Sequence, residues 1–358
     1  MNKYCLFIIL FSIHKSFSCT DFSLADKQGN IVVGRSMEFG TNLESAITFY
    51  PAGMPSTCYI PADEKTMNWT NKYGYLALTA FGGITISDGM NEKGLSLEVL
   101  WFPSAKYPSP ENCDPQSTIA LQHLGNYLLS TCASLEDVQQ AFMDLTILAK
   151  PVEQLGGVPP IHLSFHDSLG RSLAVEFIDG TIFVIDNPIG VLTNYPQLSW
   201  HLTNLENYIN LSAINKNAVS FDGSVFHPSG QGSGLLGIPG DWTPPSRFVK
   251  IALLKNFILP ADSPEENVKL AFHLLNTVDI PYGAIRSIDG KNYDYTQWTI
   301  VKDLTNKKIY YRTYNQPMIF CMDLAKMLSR CQNNAQLTIP MQGAVIEKAP
   351  SIQLPNKE

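Results

Sequence analysis

Cys19-Thr-Asp-Phe-Ser-Leu-Ala25, Asp26-Lys-Gln-Gly-Asn30 and Ile31-Val-Val-Gly-Arg35 read in succession as a strand, a polar turn and a second strand. The apolar positions lie on both sides of a turn rich in Asp, Gly and Asn, so the segment is a hairpin signal. Outward from it, strand-like stretches recur at 46–51, 73–80 and 94–102, with the turn-rich Asp88-Gly-Met-Asn-Glu-Lys-Gly94 between the last two. Residues 117–131 and 134–149 change to helical spacing, the second opened by Ser134 and Asp137 and carrying Val138, Phe142 and Leu145 on one side. Strand patterns return at 161–166, 171–178 and 181–186, the last two joined by Asp179-Gly180, a two-residue hairpin turn. Helical spacing resumes at 199–212 and 246–258, and Ser263-Pro-Glu-Glu266 supplies an N-cap, an N1 proline and a capping acid for a helix through Val278. A hairpin over 295–302 and 307–314 closes the pattern. Strands, helices, strands, helices, strands is the order of an α+β protein in which two antiparallel sheets face each other under helices, a four-layer αββα sandwich.

The bulk properties fit one large folded unit. The chain has 358 residues, 45% hydrophobic and 16% charged, enough apolar content for a sizeable core. No low-complexity linker or internal repeat marks a boundary, which gives a signal peptide over 1–18 and a single domain over 19–358. The net charge of -7 is spread without a Lys/Arg-rich run, so nucleic acid is not an expected partner.

The first 18 residues have their own logic. Lys3 precedes the apolar run Tyr4–Ile13, about half the length that spans a bilayer, and Ser16-Phe17-Ser18 places small residues at -3 and -1 of a cleavage site. Export to a periplasm or to the exterior follows, with no stable membrane insertion once the signal is removed. Seven cysteines occur, and loss of residues 1–18 with Cys5 leaves six, too scattered for a disulfide scaffold. Cys321 and Cys331 are the pair to examine first. Cleavage after Ser18 would give Cys19 both a thiol and a free α-amino group.

Other letter patterns carry less. Gly232-Ser-Gly-Leu-Leu-Gly237 spells a dinucleotide fingerprint, but no strand and helix frame it, so it reads as a loop. His162 and His166 lie on a strand pattern, where four residues rise about 13 Å, too far to share one metal ion. The HExxH, CxxC, P-loop and GxSxG patterns do not occur. Cys19 is different because its chemistry closes locally: a thiolate is a strong nucleophile, and an α-amine titrates about pH 7.7–8.0, where it can take and return a proton. Such a site still needs a cation beside the thiolate and donors for a tetrahedral oxyanion. Arg35, Glu38, Asn194 and Arg247 are candidates, although each residue type is also common on surfaces or in turns.

Cys19, Gly34-Arg35-Ser-Met-Glu38 and Asp88-Gly-Met-Asn-Glu-Lys-Gly-Leu95 together resemble the choloylglycine hydrolase and penicillin V acylase family. Gly190-Val-Leu-Thr-Asn194-Tyr-Pro196, Leu202–Tyr208 and Gly234–Phe248 are similar to later blocks of that family, in the same order. The resemblance implies an Ntn-hydrolase fold, hydrolysis of a small N-acyl amide of the penicillin V, acyl-homoserine lactone or conjugated bile salt type, no metal or organic cofactor, and a homotetramer. It implies Cys19 as nucleophile with its own amine as base, Arg35 beside the thiol, Asn194 as oxyanion donor and Arg247 as a second arginine of the site. Glu38 stands where many members have Asp. Trp101 stands where bile-salt hydrolases have Asn and many penicillin V acylases have Tyr, so its backbone N–H serves the oxyanion and its indole reshapes the pocket.

Two rivals share the N-terminal cysteine. An acid-ceramidase-like hydrolase exposes it by internal self-cleavage, and a secreted binding protein would use Cys19 structurally or carry a lipid on it. A free, reactive Cys19 separates the enzymes from the binder.

Overall fold

The computed structural model describes residues 18–58, 67–110, 113–330 and 336–341. The expected signal peptide falls outside them, apart from Ser18, as does Cys331 of the cysteine pair. The Cys19 segment forms β1 (Ser18–Ala25), paired in a hairpin with β2 (Ile31–Phe39). Next come β3 (Ala46–Tyr50), β4 (Tyr75–Ala80), β5 (Thr85–Asn91) and β6 (Ser96–Trp101), then helices α1 (Leu121–Thr131) and α2 (Leu135–Asp144). The meander is β7 (Ile161–His166), β8 (Ser172–Ile178) and β9 (Thr181–Asp186), followed by β10 (Val191–Leu192). Helices α3 (Leu198–Leu205), α4 (Pro244–Phe257) and α5 (Pro264–Asn276) lead to β11 (Tyr293–Asp303), β12 (Lys308–Thr313), β13 (Gln316–Asp323), α6 (Leu324–Arg330) and β14 (Leu337–Pro340).

Two large sheets result. One runs β10-β1-β2-β11-β12-β13, with Ile285–Arg286 also paired to β11; the other runs β9-β8-β7-β6-β5-β4-β3-β14. The ladders within both are antiparallel. Helices α4 and α5 pack on β1, β2 and β11, whereas α1 packs on β5 and α2 on β9. This is the four-layer αββα sandwich expected from the order of patterns. The caps behave as read: Ser134 Oγ accepts the Asp137 N–H and Ser263 Oγ the Glu266 N–H, each closing an N-terminal turn.

Four local readings need correction. Asp88–Asn91 is not turn but the second half of β5, and the chain reverses only over Glu92–Gly94. Helix α2 ends at Asp144, because Thr146–Leu148 leaves it to pair in parallel with Thr118–Ala120, the stretch read as the start of α1. Residues 206–208 are a 3-10 turn that shortens the expected third helix. The 295–314 hairpin is not the last element, since β13, α6 and β14 follow. Among the described residues no helix is long and apolar enough to cross a membrane.

Candidate active site

Antiparallel pairing puts Cys19 opposite Met37 and Asp21 opposite Arg35. Residues opposite each other share a face, and positions two apart share it too, so all four side chains enter the space between the sheets. Gly34 makes this hairpin possible: a Cβ there would stand 2.6 Å from the ring of Phe22, its partner across the ladder.

Cys19 is 3% exposed. Arg35, fully buried, donates from Nη2 to Cys19 Sγ at 3.5 Å and to the Val99 carbonyl at 2.5 Å, while Nη1 reaches the Ser87 carbonyl and Asp88 Oδ2, the latter at 3.4 Å. Burial pushes the thiol's pKa up; the Arg35 charge pulls it down, Glu38 pushes it up again, and the Trp101 backbone N–H also favours the thiolate. The S–H donates to Met37 Sδ at 3.8 Å.

Asn194 follows β10. Its Oδ1 accepts the Cys19 backbone N–H at 2.9 Å and Arg247 Nη2 at 2.7 Å, which fixes the amide so that Nδ2 donates to the Trp101 carbonyl at 2.7 Å. One Nδ2–H is thereby used, and an amide nitrogen carries two. Arg247, in the first turns of α4, also donates to the Cys19 carbonyl, to Thr20 Oγ1 at 2.7 Å and, through Nε, to the Trp242 carbonyl at 2.9 Å. It thus grips the backbone around the thiol rather than the sulfur.

Glu38 lies opposite Ser18, on the face of β1–β2 away from the thiol and toward α4. Its Oε1 accepts the Thr296 O–H at 2.9 Å and its Oε2 has no partner among the described residues. Burial raises its pKa to about 7, against the Arg247 charge. Of the expected site residues, Arg35 and Trp101 lie on the thiol and Arg247 and Asn194 on the Cys19 backbone, whereas Glu38 lies on the opposite face of the hairpin.

The sulfur opens into a cavity of about 680 Å³, its mouth included, walled by Phe39, Leu43, Phe81, Trp101, Leu155 and Ile161 among others. None of the described residues lining it is charged. Trp101 packs edge-on against Phe39, with ring centroids 6.3 Å apart.

Some supporting residues are not legible in the sequence. His201 donates from Nε2 to the Asn194 carbonyl at 3.1 Å and stacks on Phe248; burial lowers its pKa to about 4, which keeps the ring neutral. His162 and His166 stay apart as the strand spacing requires: His162 Nε2 bonds the Thr193 carbonyl at 3.0 Å, and His166 Nε2 bonds Asp21 Oδ2 at 2.9 Å. Asp21, Glu98 and His166 bring ligand-type atoms within 4.8 Å of one another, but the Lys302 ammonium already sits on Glu98 and supplies the positive charge there. The Gly232–Gly237 stretch is loop and 3-10 turn, without the strand and helix a dinucleotide site needs.

Comparison with known proteins agrees with this geometry. The linear amide C-N hydrolase model of the choloylglycine hydrolase family matches residues 19–336. A bile salt hydrolase/transferase of Clostridium perfringens is 32% identical over 310 residues, covering 86% of this chain and 93% of that protein. The crystal structure of a mutant conjugated bile acid hydrolase from Clostridium perfringens aligns with a TM-score of 0.79 at 30% identity, over 94% of this chain and 100% of that one. A penicillin V acylase structure from Agrobacterium tumefaciens shares the fold, with a TM-score of 0.73 at 24% identity, over 89% and 90% of the two chains. This chain belongs to the choloylglycine hydrolase family and is a hydrolase of the carbon–nitrogen bond of linear amides.

Proposed function

We propose that the protein is an exported cysteine amidohydrolase that removes an apolar acyl group from a small amide through a thioester on Cys19. The observation that carries this reading is the thiol, with Arg35 at 3.5 Å, at the foot of a cavity of about 680 Å³ whose described lining residues carry no charge. Removal of residues 1–18 converts the Cys19 nitrogen, which Asn194 Oδ1 already engages, into an amine. That amine takes the thiol proton, Arg35 steadies the thiolate, and sulfur attacks the substrate carbonyl. The second N–H of Asn194 and the Trp101 backbone amide hold the oxyanion. The ammonium returns its proton to the leaving amine; a water, deprotonated by the same amine, then cleaves the thioester and frees the acid. Glu38 opposite Ser18 offers its unpaired oxygen to the new ammonium.

The acyl group is inferred from the wall: Phe39, Phe81 and Trp101 favour phenoxyacetyl or straight-chain acyl groups over a steroid with polar edges. Turnover of penicillin V, acyl-homoserine lactones and glyco- and tauro-conjugated bile salts tests it. A higher kcat/KM for a bile salt than for every other amide in the panel would overturn the acyl assignment. We further infer that copies associate, in keeping with the homotetramer that the resemblance implies, through the hairpin whose Val219, Phe221, Val225 and Phe226 are 50 to 63% exposed. The apolar run at Tyr4–Ile13 supports export.

A further inference from the structure

Six ionisable side chains without solvent exposure meet between the sheets. Asp21, Arg35 and Lys302 come from β1, β2 and β11, and Asp88, Glu98 and His166 from β5, β6 and β7. They form a chain: Arg35 Nη1 to Asp88 Oδ2 at 3.4 Å, Asp88 Oδ1 to Lys302 Nζ at 2.5 Å, Lys302 to Glu98 Oε1, Glu98 Oε2 to His166 Nε2 at 3.7 Å, and His166 Nε2 to Asp21 Oδ2 at 2.9 Å. Burying so many charges stabilises little by itself, because desolvation offsets most of the attraction.

The distances show how the charge is divided. Asp88 is drawn close to Lys302 and stands 3.4 Å from Arg35, beyond ordinary charge-assisted hydrogen-bond length. Arg35 is consequently held mainly by the Ser87 and Val99 carbonyls, which are neutral, and its remaining reach goes to the sulfur. Without the ammonium, Asp88 would have Arg35 as its nearest cation. In a medium of low effective dielectric that competition falls directly on the thiolate.

We propose that Lys302 is a positioning residue for the hydrolytic reaction: by engaging Asp88 it leaves the Arg35 guanidinium to the Cys19 thiolate. The inference rests on Cys19 being the nucleophile. Lys302 lines no part of the acyl cavity, so its effect acts through Arg35 on turnover and not on substrate binding. The charged groups around the thiol are Arg35 and Glu38 from β2 and Arg247 from α4; those around Asp88 are Arg35, Lys302 and, further off, Asp21 and Glu98.

The test is the pH dependence of Cys19 alkylation by iodoacetamide in the processed enzyme, read at the Cys19 peptide by mass spectrometry and set beside kcat and KM. Opposite shifts are expected: Lys302→Met raises the alkylation midpoint by about half a pH unit or more, whereas Asp88→Asn lowers it, because one change strips a positive charge and the other a negative one from the same neighbourhood. The double variant, which keeps the net charge of the cluster, falls between them and secures the test if Lys302→Met folds poorly. In Lys302→Met, kcat falls about tenfold or more with KM within about threefold of wild type, as expected for a group acting only in the transition state. Phe142→Leu, in the core under α2, lowers Tm without moving the midpoint. Midpoints that shift in the same direction, or that stay within about 0.2 pH unit of wild type, overturn the inference. So does failure of all three variants to fold, since the chain of charges would then be a folding requirement. Full turnover by Cys19→Ala would instead bring down the nucleophile reading beneath it.

Discussion

Arg247 Nη2 and the Cys19 backbone N–H donate to the same oxygen, Asn194 Oδ1, at 2.7 Å and 2.9 Å. Two donors on one carbonyl oxygen leave the amide a single orientation, with its NH2 toward Trp101 and the cavity. Asn194→Ala should keep the fold and reduce turnover about a hundredfold or more, the usual cost of one oxyanion donor. Unchanged circular dichroism with less than about a threefold loss would remove Asn194 from that role.

The indole of Trp101 should set acyl preference. Trp101→Ala opens the wall beside the sulfur and loses aromatic contact with an apolar chain, a change of about 1–3 kcal/mol in transition-state binding or about fivefold to 150-fold in kcat/KM. The loss should fall on phenoxyacetyl and straight-chain substrates and be smaller for a bile salt. Equal losses across the panel would show that the indole does not select.

Glu38 makes a stability prediction with a definite sign. Its folded pKa, about 7, lies above the ordinary carboxylate value, so the native state binds the extra proton between the two. Stability from this group is therefore present below the unfolded pKa and declines as pH rises toward 7, by up to about 1.4 kcal/mol per pH unit. Glu38→Gln keeps an oxygen for Thr296 and cannot ionise. Melting temperatures from pH 4.5 to 7 should fall more steeply in wild type than in the variant; parallel curves would mean that Glu38 ionises freely.

The exposed hairpin gives a prediction about assembly. Phe221→Ser with Phe226→Ser should lower the mass measured by light scattering while leaving the sandwich folded, because these rings touch each other at 5.9 Å outside the core. Unchanged mass would place the interface elsewhere, and a monomeric wild type would dismiss the association itself.

The β1–β2 hairpin was legible because its signal is local: a polar turn between two apolar runs, with Cys19 and Arg35 brought together by pairing alone. Asp88–Asn91 was not, since Asp, Gly and Asn are turn formers, and only tertiary contacts make them strand. Gly89 is there because a Cβ would meet Leu129 at 2.5 Å and the Leu76 carbonyl at 2.9 Å, and Asp88 because Lys302 faces it. Lys302 itself stands 214 residues from Asp88 and carries no motif. Arg247 and Asn194 are candidates by residue type and take their roles from the resemblance, but the sequence does not disclose that they grip the same backbone. His201, on α3, carries no motif.

The most direct measurement compares amidase activity with the identity of the first residue. Three proteins are needed: the full chain kept uncleaved, a chain that begins at Cys19 after methionine removal, and one with a single Ala retained ahead of Cys19, each N-terminus confirmed by mass spectrometry. In the full chain the Cys19 nitrogen is a peptide N–H that donates to Asn194 Oδ1, and such a nitrogen cannot take the thiol proton near neutral pH. An added Ala moves the amine one residue, about 3.8 Å between α-carbons, away from the sulfur's own residue. Only the Cys19-initiated protein should hydrolyse amides; equal activity from the uncleaved Ala-extended protein would rule out the Cys19 α-amine as the base.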